Sequence, residues 1–171
     1  MPEVVDPPVF GPPILDPPIS DPLDSGEFQQ AWIAFIKSVN RVIAQKAEQP
    51  NRSYVKDNYL DFANSTAEIL LQPNYSYEIA RSWSELRKND QTNAGAQLLL
   101  EEVRNYPILA ETVLQNSYTD APRVNAPYKL KDALSIAKTI IKSITELLNL
   151  SAWGKLFIKL YGEAIDIFKG A

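Results

Sequence analysis

Apolar residues recur at helical steps over most of this chain. Phe28, Trp32, Phe35, Ile36, Val39, Val42 and Ile43 follow one another at intervals of three and four, which predicts one face of a helix ending near Glu48, before Pro50. Its start is marked by Asp24 with Glu27 three residues on, the form of a capping box, with Ser25 as an alternative cap. A second segment opens at Ser53 and carries Val55, Tyr59, Leu60, Phe62 and Ala63. Ser65 with Glu68 repeats the capping pattern, so a break is expected there, and Pro73 closes the run.

A third helix is expected from about Tyr75 to Lys88, with Tyr75, Ile79, Trp83 and Leu86 inward. Thr92 or Asn93 can cap a fourth, in which Leu98, Leu99, Val103 and Tyr106 face the core. Pro107 either kinks that helix or begins a new turn capped by Asn105, and helical text continues to Leu114. Asn116 to Pro127 has no apolar period and reads as the longest loop of the domain.

The last forty or so residues are the most regular. Leu130, Ala133, Leu134, Ile136, Ala137, Ile140, Ile141, Ile144, Leu147 and Leu148 share one arc of a helical wheel, about 160° wide, opposite Lys131, Lys138, Lys142 and Glu146. Asn149 to Ser151 provides a stop and a fresh cap. The final helix has only a narrow polar stripe, Lys155, Lys159, Glu163, Asp166 and Lys169, so Trp153, Leu156, Phe157, Ile158, Leu160, Tyr161, Ile165, Ile167 and Phe168 must be covered by something.

Residues 1–25 obey a different rule. Eight of the thirteen prolines fall there, in a five-residue repeat: Asp6-Pro-Pro-Val-Phe, Gly11-Pro-Pro-Ile-Leu, Asp16-Pro-Pro-Ile-Ser. Proline fixes φ and pushes its predecessor out of the α region, so this arm is expected to be extended. Nearly every repeat carries apolar residues, including Val9, Phe10, Ile14, Leu15 and Ile19. The arm also holds a charge of −5, from Glu3, Asp6, Asp16, Asp21 and Asp24, against +1 for the rest of the chain. The expected architecture is therefore all-α: a helical bundle of about five to seven helices over residues 26–171, with 129–171 a C-terminal amphipathic hairpin, preceded by an acidic proline-rich arm at 1–25.

Composition narrows the chemistry. The chain has no cysteine and no histidine, which excludes disulfides, thiol nucleophiles, imidazole bases and the commonest transition-metal ligands. A net charge of −4 disfavours a nucleic-acid partner. The longest uncharged stretch, Gln91 to Leu100, is far short of a bilayer span. The start carries no basic n-region or apolar h-region, so a cytoplasmic protein is expected. Carboxylates cluster only as Glu101, Glu102 and Glu111, or as Asp57 and Asp61, and read as solvated surface. Ser135 and Lys138 have Ser-x-x-Lys spacing, but within an isoleucine-rich helix chance is the better account. The Asn-x-Ser/Thr triplets at Asn51, Asn64, Asn74 and Asn149 read mostly as helix-start text. No cofactor, metal, catalytic group or small-molecule substrate is expected.

Two functional expectations remain. The first is a non-enzymatic protein interaction or assembly module, binding a protein partner or itself through the arm (Val9, Phe10, Ile14, Leu15, Ile19), the apolar last helix (Trp153, Phe157, Tyr161, Phe168), or both. The second is a membrane-surface role, in which the C-terminal hairpin lies on anionic lipid with Lys155 and Lys159 beside those aromatics. A third account of the last helix is that it is simply the central core helix of a bundle.

Overall fold

The computed structural model describes residues 25–48, 57–89, 94–117 and 129–170, and these form six helices and no strand. They are α1 (Ser25–Ala47), α2 (Asp57–Leu70), α3 (Pro73–Asn89), α4 (Ala94–Ser117), α5 (Leu130–Leu147) and α6 (Ala152–Gly170). The architecture is the all-α bundle expected, with its helix number inside the expected range. The arm, including Val9, Phe10, Ile14, Leu15 and Ile19, lies outside the described residues, as do the expected cap Asp24, the segment Ser53 to Val55, and most of the loop from Asn116 to Pro127.

The central helix is α1, against which all five other helices pack. Its predicted stripe is the reason: Phe28, Trp32, Phe35, Ile36, Val39, Val42 and Ile43 are all fully buried. Burial of each such side chain contributes about 1.5–3 kcal/mol, so a helix with seven of them in register gathers its neighbours around it. Its polar atoms are then matched in pairs. Trp32 Nε1 donates to the Leu70 carbonyl at the end of α2 (2.9 Å), Gln29 donates to Ser76 Oγ on α3 (2.9 Å), and Asn40 donates to Asn64 Oδ1 on α2 (2.8 Å). Phe28 stacks on Trp83 of α3 at 4.9 Å between centroids, while Phe35 meets Tyr106 of α4 edge-on at 5.2 Å. Two exposed ion pairs, Glu27 with Arg104 and Arg41 with Glu111, tie α1 to α4 along the rim.

Helices α5 and α6 form the closest-packed pair, an antiparallel hairpin. Gly162 of α6 faces α5, where a Cβ would lie in ordinary contact, 3.5 Å from both Ile141 Cγ2 and Lys138 Cε. Lys138 Nζ donates to Asp166 and, at 3.4 Å, to the Gly162 carbonyl. On its other side α6 packs against α2.

One local expectation is corrected and two are refined. Ser65 and Glu68 do not interrupt α2; Thr66 Oγ1 donates back to the Phe62 carbonyl (2.8 Å) within a continuous helix. Pro73 opens α3 as its first residue, a position where no intrahelical N–H is required; Ser76 N–H donates to the Gln72 carbonyl (2.9 Å) as the first turn closes. Pro107 lies inside a continuous α4 and does not start a new helix.

Candidate interaction surface

Helix α6 divides into a core half and a surface half. Ile158, Tyr161, Ala164, Ile165 and Phe168 are fully buried. Trp153 is 69% exposed, Leu156 is 41% exposed and Phe157 is half-buried, with Lys155 and Lys159 in solvent beside them. Trp153, Leu156, Phe157 and Leu160 follow the spacing of one helical face. The Trp153 and Phe157 rings stack at 5.9 Å with 20° between planes. Of the residues singled out on this helix, Trp153 and Phe157 thus share a surface, while Lys159 borders it beside Leu156 and Lys155 lies at the far edge of the exposed arc. Tyr161 and Phe168 do not belong to it; they are core, and Tyr161 OH donates to Asn40 Oδ1 of α1 (3.2 Å).

The first turn of α6 is fixed by a cap built from two helices. Ser151 Oγ accepts from the Gly154 N–H (3.1 Å), the usual N-cap bond. The reciprocal half of a capping box needs a carboxylate at position 154, where this chain has glycine. Glu78 of α3 supplies it instead: its Oε2 accepts from the Ser151 N–H (2.6 Å) and its Oε1 from the Ser151 hydroxyl (3.1 Å). The carboxylate also sits at the positive end of the helix dipole. Tyr75 OH donates to the Gly154 carbonyl (2.5 Å), a second link from α3 to the same turn. Trp153 is therefore displayed from a helix start clamped to its neighbour.

A second concavity, of about 440 Å³, runs between α4 and α5. Its walls are Glu102, Asn105, Leu109, Ser135, Ile136 and Thr139, with Tyr106 and Ile140 at its base. By its spacing from Asn105 and Leu109, Leu98 continues the α4 wall. It is 54% exposed, so the expectation that it faces the core is corrected: a face set by Leu99, Val103 and Tyr106 leaves it about 100° away. Ile108 is 69% exposed.

The titratable and hydroxyl groups singled out above are held in structural contacts. Tyr75, Tyr106 and Tyr161 have pKa values raised above the ordinary range, chiefly by burial. Their hydroxyls stay protonated and act as structural donors, Tyr106 to the Ala133 carbonyl at 2.9 Å. Ser135 and Lys138 do not act together, since Lys138 is engaged by Asp166 and the Gly162 carbonyl. Glu111 is paired with Arg41. Among the described residues no three acidic side chains converge as metal ligands, and no helix is long and apolar enough to cross a membrane. Sequence reasoning missed Glu78, which lies 73 positions before Ser151 and carries no local signal; Leu156 is among the apolar residues of α6 already expected to need cover.

The class defined by these features is a cysteine-free all-α bundle of six described helices with an exposed aromatic surface on its last helix. No family model matches the chain, and comparison with curated proteins and with solved structures finds no match to it.

Proposed function

We propose that the protein is a non-enzymatic interaction module, in which the helical bundle presents the first turns of α6 to a protein partner and the proline-rich arm is a second binding element. The observation that carries this reading is Trp153, 69% exposed and stacked on Phe157. Tryptophan anchors are over-represented among residues that dominate binding energies, and a stacked ring loses little freedom on contact. The fold does not require Trp153: the core half of α6 is complete without it. Leu156 extends the apolar patch, and Lys155 and Lys159 supply a charged rim of the kind that sets orientation and association rate.

The same lysines favour a second reading, in which the face rests on an anionic membrane surface. One experiment separates the two. A benzoylphenylalanine photo-crosslinker replaces Leu156 in the full chain, which is irradiated in cells and, after purification, with phosphatidylserine vesicles. Adducts above the monomer mass that are protein in nature, lost in W153S/F157S, support the interaction reading. Lipid adducts alone refute it in favour of the membrane surface, and the absence of both refutes each.

A further inference from the structure

We propose that the surface formed by Trp153, Leu156 and Phe157 takes an acidic, proline-rich extended segment, and that its occupant in the free protein is residues 1–24 of the same chain. The inference rests on the interaction reading above and names the ligand class of that site. Three observations carry it.

The first is where the arm is rooted. Helix α1 begins at Ser25, and Gln29, one turn in, donates to Ser76 of α3 (2.9 Å). The neighbouring Tyr75 donates to the Gly154 carbonyl in the first turn of α6 (2.5 Å). Ser25, the residue that follows the arm, therefore lies at the end of the bundle where Trp153 is displayed. Twenty-four residues at about 3.1 Å each span roughly 75 Å when extended, so reach is no constraint. A tether this short gives an effective concentration on the order of millimolar, which favours the chain's own arm over a second copy's.

The second is charge. The arm carries Glu3, Asp6, Asp16, Asp21 and Asp24 and no basic residue, whereas the first turns of α6 carry Lys155 and Lys159, with Glu163 one turn beyond Lys159. Of the two, Lys159 borders the apolar face about 60° from Leu156, whereas Lys155 lies about 100° from Leu156 and about 160° from Trp153 and Phe157, at the far edge of the exposed arc. The third is the match of apolar chemistry. Proline-rich segments dock on exposed aromatic surfaces because their backbone is ordered before binding. The surface offers stacked Trp153 and Phe157 rings with exposed Leu156, and the repeat Asp-Pro-Pro-Val-Phe or Asp-Pro-Pro-Ile-Ser offers prolines and an aliphatic or aromatic residue between acids. The groove between α4 and α5 fits less well, since its charged lining residue is Glu102.

The test uses the tryptophans of the full chain. Trp32 and Trp83 are buried and Trp153 is exposed in the bundle, so acrylamide quenching of the wild type minus that of W153F reports Trp153 alone. In dilute protein Trp153 is expected to be shielded. Quenching should rise several-fold with the arm substitutions F10S/I14S/L15S/I19S, and likewise with K155E/K159E, at unchanged helical circular dichroism. A Trp153 that is freely quenched in the wild type overturns the proposal. So does shielding that survives the arm substitutions, or shielding that appears only as protein concentration is raised. Each of those outcomes leaves the interaction reading to be judged separately by the intermolecular crosslinks from position 156.

Discussion

Removing Glu78 should reverse the effect of a second substitution at Gly154. The Glu78 carboxylate accepts two hydrogen bonds from Ser151 and lies at the N-terminus of α6. Charge-assisted bonds contribute about 1.5–3 kcal/mol when lost and a helix-terminal charge about 0.3–1 kcal/mol. Because the site is partly in water, E78A should cost about 1.5–2.5 kcal/mol, toward the lower part of those ranges. Gly154→Ala has two opposed effects. Alanine within a helix is favoured over glycine by up to about 1 kcal/mol, but the added Cβ would lie 2.9 Å from Glu78 Oε2 and 3.2 Å from both Oε1 and Ser151 Oγ. A free glutamate would swing aside at little cost. This one is held on Ser151, so moving it gives up the cap, and G154A should destabilise the wild type by about 1 kcal/mol. In the E78A background the main obstacle is gone, and the same substitution should stabilise by about 0.5–1 kcal/mol. Urea unfolding of the four full-length proteins, compared at constant m, measures the cycle. Effects of G154A that agree in the two backgrounds to within about 0.5 kcal/mol would refute the argument, since independent sites add to that precision.

Three other substitutions or conditions probe the bundle. Trp32→Phe leaves the buried Leu70 carbonyl without its donor and shrinks the central packing, so chemical unfolding should show a loss of about 2–4 kcal/mol; a loss below that range would show that the indole bond carries little. Pro107 withholds an N–H in the middle of α4, and Pro107→Ala should raise stability by about 1–3 kcal/mol, which a lower melting temperature would contradict. Burial raises the pKa values of Tyr75, Tyr106 and Tyr161, so above about pH 10 the unfolded chain releases protons that the folded chain keeps. Stability should then be present below that pH and fall above it, by up to about 1.4 kcal/mol per pH unit for each tyrosine. Lys46, lowered first by burial and then by nearby Lys131, contributes the opposite slope, which ends near its unfolded value. Thermal melts from pH 8 to 12 should show the decline, reduced by about one proton in Y106F; a flat profile through pH 12 would contradict it.

The helices were legible wherever a stripe was continuous. In α1 the predicted stripe and the buried positions coincide; in α5 most of the arc is buried, but Leu147 at its end is 37% exposed and Ile136 is half-buried on the wall facing α4. Where the text supplied two signals, packing decided. The Ser65–Glu68 pattern has the form of a start, but Ala63, Ala67 and Leu70 on either side of it share one buried face of α2, which favours continuing the helix. Pro107 is tolerated because the flanking Val103, Tyr106 and Ala110 anchor both halves of α4. The hardest distinction was within α6. Its apolar residues surround most of the axis, and their period alone cannot say which of them meets a neighbour. The positions of α2 and α5 determine that Tyr161 and Phe168 are covered and Trp153 is not. The cap from Glu78 was beyond sequence reading for a similar reason, since the motif it completes is split between two helices.

That division within α6 bears on how a binding surface can exist without weakening the fold. Tyr161, Ile165 and Phe168 hold the C-terminal half of the helix in the core, while Glu78, Ser151 and Tyr75 hold its first turn from the outside. The helix is pinned at both ends, and the segment carrying Trp153, Leu156 and Phe157 is rigid without burying those side chains. Exposed large apolar groups on a rigid element pay little ordering cost when something covers them. Were Trp153 part of the core, replacing it would cost several kcal/mol and confound any binding measurement with unfolding. At 69% exposure, W153S should instead change stability by no more than about 0.5 kcal/mol. A large change in binding or shielding at unchanged stability then assigns the residue to recognition, whereas a large loss of stability would return it to the core and remove the surface on which both proposals stand.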